Sequence, residues 1–337
     1  MQLLARVESP DHVCCRYRLA AFGPYFEEAG HQLQLISWPR RWWSRLWIGN
    51  IVRSADVVIL QRRLLPAWQL LSLRRAARFL AFDFDDAVFL RDSYATKGLY
   101  SGRRLRRFQA IVRAADLLIA GNSFLAENAA RWTSADRVRV IPTCVNLDRY
   151  PLAEHRRSGE GVQLVWVGSS STLKGLQAIE PLLEAIGQGC HGVRLKLICD
   201  QFLQFRNVPV DCCPWSEATE SAEIAAADIG ISHLPDDDWS RGKCGLKVLQ
   251  YMAAGLPVVA NPVGVQVEMV QHGVNGFLAE TPEQWCAAIE TLKRDPALRR
   301  RMGQAGRQRV EAEFSVARGA ARWLEVLGGL KRRSEAA

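Results

Sequence analysis

The chain has 337 residues, 48% of them hydrophobic and 23% charged, which is enough for two globular domains and excludes a disordered or fibrous protein. No apolar stretch reaches the roughly 18–20 residues of a spanning helix, and the start Met1–Val7 lacks the segments of a signal peptide, so we expect a soluble or peripheral protein. The net charge of the chain is +9: residues 1–150 carry +10, with 23 Lys and Arg against 13 Asp and Glu, and residues 151–337 carry −1, so the first half is expected to meet an anionic partner.

Short apolar runs alternate with helical stretches through the first half of the chain. Leu3–Val7 is a predicted strand, and a helix is predicted over Tyr17–Ala29 because Gly30 is a typical stop signal. A second helix is predicted from Ser123, which is a good N-cap residue. Further strands are predicted at Leu33–Ile36, Val57–Leu60, Phe79–Phe82, Leu117–Ala120 and Val138–Ile141.

The polar segment Tyr150–Gly161 contains proline and glycine and is a predicted linker. The alternation then restarts, with a helix predicted over Ile179–Ile186. Strands are predicted at Leu164–Val167, Leu195–Cys199, Ile229–Ser232, Pro257–Ala260 and Gly276–Leu278. This order predicts two doubly wound α/β domains with parallel sheets, which bind ligands beyond the carboxyl ends of their strands.

The stretch Trp239–Val259 is the most informative part of the chain. Leu246, Leu249 and Met252 share one face of a predicted helix that begins near Gly245. Free N–H groups and the positive dipole end at such a helix start suit a diphosphate. Cations stand around this point at Arg241, Lys243 and Lys247. The alternative is a basic helix entry on a solvated surface, but three cations beside a glycine favour anion binding.

The same stretch resembles the signature of glycosyltransferase family 4, whose members have the GT-B fold. Cys244-Gly245-Leu246 matches the Phe-Gly segment of the signature, and Met252–Val259 matches its Met-Ala-x-Gly-x-Pro-Val-Val tail. The two glutamates of the family are absent, since Gly242 and Gln250 stand at their positions. Gln250 can still bond the donor ribose, whereas Gly242 cannot contact the donor sugar. The acidic turn Asp236–Asp238 is a candidate substitute, with a solvated turn as the alternative.

The resemblance covers nearly the whole chain and implies a GT-B architecture. Residues 1–155 are then the acceptor-side Rossmann-like domain, residues 156–315 are the donor domain, and residues 316–337 are a helix that returns to the first domain. Such domains face each other across a cleft. Together with the residue chemistry, this predicts donor contacts at Gly168, Ser169, Lys174, Trp215, Arg241, Lys243, Cys244, Gly245, Leu246, Lys247 and Gln250.

Two of these donor residues have plain alternatives. Lys174 is a candidate diphosphate ligand in a segment that resembles the strand–glycine–turn of the family, and mere exposure is the alternative. Trp215 is a candidate for stacking on the nucleobase, and a core position is the alternative.

The carboxylates Asp85 and Asp86 follow a predicted apolar strand and should face the cleft. They are candidate catalytic residues that bind acceptor hydroxyls or take part in proton transfer, with helix capping as the alternative. Arg16 and Arg18 lie in a stretch that resembles a motif of bacterial polysaccharide-synthesis members, which makes them candidates for binding an acceptor phosphate. Asn122, in a turn that resembles a recurring one near the family's cleft, is a further candidate acceptor contact.

Tryptophan and arginine are interleaved in the first half. Trp38–Trp47 contains four Trp and three Arg, and more arginines follow in Arg62–Leu80 and Arg103–Arg107. Trp prefers the headgroup level of a membrane and Arg attracts anionic lipid, so we expect a peripheral position on an anionic membrane surface. Buried Trp and solvated Arg are the alternative. Nine cysteines without a CxxC pair are typical of a reducing cytosol, which predicts a cytoplasmic protein at the inner membrane face.

The function that the resemblance implies is retaining transfer of a sugar from a nucleoside-diphosphate sugar to a glycan or lipid-linked acceptor, in cell-surface polysaccharide synthesis. Lys243 and Lys247 are then catalytic, since they stabilise the departing diphosphate. No cofactor and no metal are expected for the chemistry. The alternatives are a GT-B nucleotide-sugar epimerase and a degenerate binding protein without turnover. Nucleic-acid binding lacks a recognisable module, and an oxidoreductase lacks the GxGxxG fingerprint.

Overall fold

The computed structural model of the protein describes residues 1–38, 48–157 and 161–335. These residues form two compact units. Unit 1 contains Met1–Cys144, the internal segment Asp237–Cys244 and the chain from Val316 on, whereas unit 2 contains Val145–Asp236 and Gly245–Ser315. The chain therefore first passes from unit 1 to unit 2 after Cys144 rather than at residue 155, and the predicted linker belongs to unit 2. The internal segment of unit 1 was not foreseen from the sequence.

Each unit is built on one six-stranded sheet in which all pairs are parallel. The strands of unit 1 are β1 (Gln2–Val7), β2 (Gln32–Ser37), β3 (Val57–Gln61), β4 (Leu80–Phe84), β5 (Leu117–Ala120) and β6 (Val138–Val140). Those of unit 2 are β7 (Val162–Val167), β8 (Val193–Cys199), β9 (Val210–Pro214), β10 (Ile229–Ser232), β11 (Val258–Ala260) and β12 (Gly276–Leu278).

The strand orders place one topological switch point in each sheet. Unit 1 has the order β2-β1-β3-β4-β5-β6, and unit 2 has the order β12-β11-β10-β7-β8-β9. The order reverses between β1 and β3 in unit 1 and between β7 and β10 in unit 2. Ligands of doubly wound sheets bind at the carboxyl ends of the strands at such points.

The helices cover both faces of each sheet. Along the chain they are α1 (Val13–Arg18), α2 (Gly23–Glu28), α3 (Ile48–Ser54), α4 (Ala67–Ala76), α5 (Gly102–Ala114), α6 (Ser123–Ala130), α7 (Ser170–Ala178), α8 (Glu180–Gly189), α9 (Glu220–Ala225), α10 (Asp238–Arg241), α11 (Leu246–Ala253), α12 (Gln266–Met269), α13 (Pro282–Arg294), α14 (Pro296–Arg309) and α15 (Val316–Glu335). A π-helical turn at Val310–Phe314 joins α14 to α15.

The predicted helix Tyr17–Ala29 is in fact broken. Helix α1 starts earlier and ends at Arg18, a 3-10 turn covers Ala20–Phe22, and α2 starts at Gly23. Pro24 is the reason for the restart, because proline fits the first turn of a helix but has no N–H to continue one. Strand β9 was missed because only scattered positions of this edge strand are apolar.

The core of unit 1 has two layers, because side chains of parallel strands alternate between the sheet faces. One layer contains Phe82, Phe84 and Phe108, and the other contains Phe26 and Trp323. Trp323 comes from α15 and packs edge-on against Phe26 at 6.2 Å between ring centroids. The last helix thus belongs to the first sheet's core, as expected for the fold class.

Candidate functional site

The candidate site of unit 2 lies where β7 ends and α11 begins. Gly245 is the N-cap of α11 and has a positive φ of 65°, which favours glycine. A Cβ here would also lie 2.6 Å from the Met269 sulfur. Gly245 therefore shapes the turn that starts α11, and the helix start predicted from the sequence is confirmed.

Lys247 is held at the switch point of unit 2 by two contacts. Its ammonium donates a hydrogen bond to the Val167 carbonyl at the end of β7 and lies 4.0 Å from the centroid of the Trp166 ring. Gly168 leaves the room for this arrangement, because a Cβ there would lie 2.7 Å from the Lys247 Nζ. The cation–π contact with Trp166 orients the charge. The sheet and the first turn of α11 thus fix a cation at this position.

Helix α11 is anchored to the same strand by Tyr251. Its hydroxyl accepts a hydrogen bond from the Val167 N–H at 3.1 Å, and the ring covers Gly230, where no side chain would fit. Burial raises the pKa of the Tyr251 hydroxyl, so it stays neutral. Sequence reasoning missed Trp166 and Tyr251, since both look like ordinary core residues by pattern.

Gln250 occupies the position of the family's second glutamate. It is buried, and its amide donates to the Tyr150 hydroxyl at 3.2 Å. The predicted ribose contact by Gln250 stays a prediction, and the structure adds Tyr150 as the neighbour that orients the amide.

The turn after β7 carries hydroxyl groups. Ser169 caps α7 in a capping box with Thr172, and the Ser170 N–H donates to Asp200 at 2.6 Å. Hydrogen bonds from the side chain and the backbone of Ser170 lower the pKa of the Asp200 carboxyl. Lys174 is exposed on α7.

Trp215 follows β9 on the surface of unit 2. It is 42% exposed, and its indole N–H donates to Glu220 at 3.0 Å. The core alternative for Trp215 is therefore wrong, and stacking on a base stays a prediction.

In unit 1 the acidic run at the end of β4 meets two arginines. Asp83 is fully buried and receives three hydrogen bonds from Arg18, which also donates to the Ile141 carbonyl at 2.8 Å. Burial alone would lower the pKa of Arg18, but the contact with Asp83 raises it. The structure thus gives Arg18 a different role from the predicted one: it is a buried anchor, and contact with an acceptor would require this ion pair to open.

Arg62 organises the other two carboxylates. Its backbone has a positive φ of 56°, which is unusual for a residue with a side chain and is typical of functional sites. It pairs with Asp85 at 3.3 Å, with Asp86 and with the Cys14 sulfur. Burial opposes ionisation of Asp85, but the charges of Arg62 and Arg18 outweigh it and lower the pKa of this carboxyl. Sequence reasoning missed Arg62 as a site residue.

The internal segment Asp237–Cys244 packs directly on this acidic run. Asn122 caps α6 and donates to the carbonyls of Arg241 at 3.2 Å and Lys243 at 2.9 Å. Lys243 itself pairs with Asp86 at 3.0 Å and lies over the Trp239 ring. Asn122 therefore positions this segment, in addition to the acceptor contact predicted for it.

Cys244 ends this segment. Its thiol is buried and donates to the Asp85 carbonyl at 3.2 Å. Burial raises the pKa of the thiol, which stays neutral.

The position of Gly242 has no room for a side chain. It is buried, and a Cβ at this position would lie 2.7 Å from the Ala87 Cβ and 2.8 Å from the Ala87 nitrogen. The glutamate that the family has here would need the backbone to move. The proposed substitutes are also engaged, because Asp237 caps α10 and Asp238 accepts from the Tyr100 hydroxyl at 3.2 Å.

The structure divides the predicted cation group between the units. Arg241 pairs with Asp238 at 3.6 Å in unit 1, where Lys243 also lies, whereas Lys247 lies in unit 2 with Gly245 and Leu246. Arg16 is half-buried and stacks over the Tyr17 ring. Within the described ranges, no group of three or more His, Cys, Asp and Glu side chains is placed to hold a metal ion.

The predicted membrane surface is only partly described. Residues 39–47 of the Trp–Arg cluster lie outside the described residues. On α4, Trp68 is 62% and Leu71 51% exposed, and α5 exposes Arg103 and Arg106. No helix in the described part of the chain has both the length and the apolar character needed to cross a bilayer.

Comparison with known proteins finds a family match in one part of the chain. Residues 237–309 match the family model described as glycosyl transferases group 1. The D-inositol 3-phosphate glycosyltransferase of Streptomyces avermitilis is 29% identical over 237 residues, which cover 60% of this chain and 49% of that protein. The chain thus spans about half the length of the D-inositol 3-phosphate glycosyltransferases that it matches, and the match covers about 60% of its own length.

Two solved structures match nearly the whole chain. Sucrose-phosphate synthase from Thermosynechococcus elongatus superposes with a TM-score of 0.76 at 19% identity and 99% coverage of both chains. Anabaena Alr3699/HepE in complex with UDP and glucose superposes with a TM-score of 0.72 at 18% identity, covering 98% of this chain and 100% of that one. The chain therefore has the GT-B fold, and the predicted fold class is confirmed.

Proposed function

We propose that this chain is a glycosyltransferase that moves a sugar from a nucleoside-diphosphate sugar to a glycan or lipid-linked acceptor. The observation that carries the proposal is the cation of Lys247, held at the switch point of unit 2 beside the start of α11. The same stretch lies inside the region that matches the glycosyl transferase family model. A fixed cation and free helix N–H groups favour the diphosphate of a nucleotide sugar as the ligand.

The chemistry that this arrangement supports is stabilisation of a leaving diphosphate. Negative charge develops on the diphosphate as the bond to the sugar breaks, and a preorganised cation lowers the energy of that state. Lys247 is the principal group for this role, because Lys243 already pairs with Asp86. We propose no metal and no cofactor, and we propose that transfer retains the configuration, as the family resemblance implies.

Unit 1 supplies the acceptor contacts in this proposal. The lowered pKa of Asp85 keeps that carboxyl ionised at neutral pH, so it acts as a hydrogen-bond acceptor rather than as an acid. Asp86 is 8% exposed, and its contacts with Arg62 and Lys243 orient it. Either carboxylate suits a sugar hydroxyl better than an anionic group.

A role in cell-surface polysaccharide synthesis at the inner membrane face is part of the same proposal. It is supported by the exposed Trp68 and Leu71 on α4 and by the arginines on α5, since this mixture suits an anionic lipid surface. A lipid-linked acceptor would be reached from such a surface.

The first experiment is a calorimetric titration with UDP, chosen because a solved structure of the same fold was obtained with UDP and glucose. We expect saturable binding that weakens at least about 10-fold in Lys247→Met, since a charge-assisted contact is lost. Lys243→Met should weaken it about 3-fold at most. The matched control is Lys97→Met, an exposed lysine in the loop between β4 and α5, which should leave the affinity unchanged. Unchanged UDP binding in Lys247→Met contradicts the assignment of this site.

Turnover is then measured with the nucleotide sugar that binds, against a panel of sugar and lipid-linked acceptors. Transfer that is lost in Lys247→Met supports the proposal. Conversion of the donor sugar without any acceptor would instead indicate an epimerase.

A second candidate is a nucleotide-sugar-binding protein without turnover. The observation in its favour is the closed position of Gly242, which excludes the family's first glutamate. Tight UDP-sugar binding with no product on any acceptor would favour this candidate.

A further inference from the structure

Three side chains meet at the switch point of unit 1. Arg6 lies near the end of β1, Trp38 directly follows β2, and Arg63 stands two residues after β3. The Arg6 guanidinium carbon lies 4.6 Å from the centroid of the Trp38 ring, and that of Arg63 lies 4.7 Å from the same ring. We name these three residues the Arg6 cluster.

The Arg6 cluster consists of donors without acceptors. Arg6 is 1% exposed, and none of its three guanidinium nitrogens has a hydrogen-bond partner in the described part of the chain. The indole N–H of Trp38 is buried and equally unpaired there. Arg18, which is just as buried, satisfies its guanidinium with Asp83 and a carbonyl. Arg6 thus differs from Arg18 in that all three of its guanidinium nitrogens lack a partner among the described residues.

The charge on Arg6 is retained despite its burial. Burial and the charge of Arg63 lower the pKa of Arg6 to about 10, which still leaves it protonated at neutral pH. Buried charges are normally paired, because an unpaired one loses its hydration without compensation. Two neighbouring cations and an indole donor therefore lie together with no anion beside them among the described residues.

We propose that the Arg6 cluster binds a phosphoryl group. A guanidinium presents its donors in a planar fork that matches two phosphate oxygens, and a second guanidinium matches the second negative charge of a phosphate monoester. A carboxylate carries one charge and would leave one cation uncompensated. The switch point of a doubly wound sheet is also where ligands bind.

The assignment of this phosphoryl group to an acceptor rests on the proposed function, whereas its binding does not. In that assignment Arg6 and Arg63 hold an anionic group of the acceptor, and the carboxylates Asp85 and Asp86 contact its hydroxyls. The phosphoryl group belongs either to a soluble phosphate monoester or to a lipid headgroup, and the experiment has an arm for each.

The test is a titration of the full chain with inorganic phosphate at constant ionic strength, followed by calorimetry and by the melting temperature. In Arg6→Met we expect the phosphate Kd to rise at least about 10-fold and the phosphate-dependent gain in melting temperature to disappear. In phosphate-free buffer Arg6→Met should melt no lower than the wild type, because an unpaired buried charge is removed. The matched control is Arg137→Met, an exposed arginine in the 3-10 turn before β6, with a Kd within twofold of wild type.

Two results overturn the proposal: no saturable phosphate binding by the wild type, or equal binding by the wild type and Arg6→Met. If Arg6→Met does not fold, Arg63→Gln replaces it, since Arg63 is exposed, and a Kd raised about threefold or more is then expected. An unchanged Kd in that variant overturns the proposal as well.

The same samples separate this proposal from the proposed function. Arg6→Met should bind UDP like the wild type, because Arg6 lies in unit 1 and the proposed donor site lies in unit 2. If the wild type binds phosphate but not UDP, the proposed donor site is contradicted and the proposal for the Arg6 cluster still holds. Saturable binding of glycerol 1-phosphate assigns the cluster to a soluble monoester. Binding only to phosphatidylglycerol vesicles, and not to phosphatidylcholine vesicles, assigns it to a lipid headgroup if Arg6→Met abolishes that binding.

Discussion

The packing of Gly242 on Ala87 makes a quantitative prediction for Gly242→Ala. The backbone of Gly242 has φ −76° and ψ −6°, which alanine adopts without strain, so any cost comes from contact alone. The added methyl would lie 2.7 Å from the Ala87 Cβ and 2.8 Å from the Ala87 nitrogen. Because one of these atoms is backbone, the segment Asp237–Cys244 must shift. Overpacking of this kind costs about 1–3 kcal/mol of the free energy of unfolding.

The assay is urea unfolding, combined with hydrogen exchange of the backbone amides of residues 238–244. We expect Gly242→Ala to lose about 1–3 kcal/mol and to exchange these amides faster. Gly242→Glu, which introduces the family's glutamate, should lose more because its carboxylate would enter a packed segment. The matched control is Gly102→Ala at the start of α5, where nothing lies within 4 Å of the new methyl, so it should be neutral or stabilising by up to about 1 kcal/mol. The reasoning fails if Gly242→Ala and Gly102→Ala have equal stability and equal amide exchange.

Two further predictions concern unit 2. Gly168→Ala should weaken UDP binding about 10-fold, because its Cβ would lie 2.7 Å from the Lys247 Nζ and 2.6 Å from the Trp166 Cζ3. Calorimetry beside Lys247→Met measures this, and equal affinity for wild type and Gly168→Ala would count against the geometry. Burial lowers the pKa of His155, which bonds the Gly255 carbonyl at 2.8 Å, so its protonation favours the unfolded chain; stability is full above about pH 6.5 and is lost as the pH falls below it, by up to about 1.4 kcal/mol per pH unit. Between pH 7.5 and pH 5.5 the melting temperature should fall further for the wild type than for His155→Gln. An equal fall in both proteins would contradict the prediction.

The class of fold and the start of α11 could be predicted from the sequence alone. Strand and helix periods are local properties, so the alternation of apolar runs predicted two parallel sheets, and the structure contains both. The glycine before α11 was also readable, because a positive φ selects glycine from its neighbours alone. The break between α1 and α2 was not readable from hydrophobic period, although Pro24 marks it.

The partner of each charged side chain could not be predicted before the fold was known. Arg241, Lys243 and Lys247 lie within one short stretch, yet Lys243 pairs with Asp86 in unit 1 and Lys247 bonds Val167 in unit 2. Likewise, nothing in the sequence distinguishes Arg18 from Arg6. Arg18 pairs with Asp83, whereas the Arg6 guanidinium has no hydrogen-bond acceptor among the described residues. Residue type and the period of apolar residues are local properties of the sequence, whereas burial and ion pairing depend on residues that come together only when the chain folds.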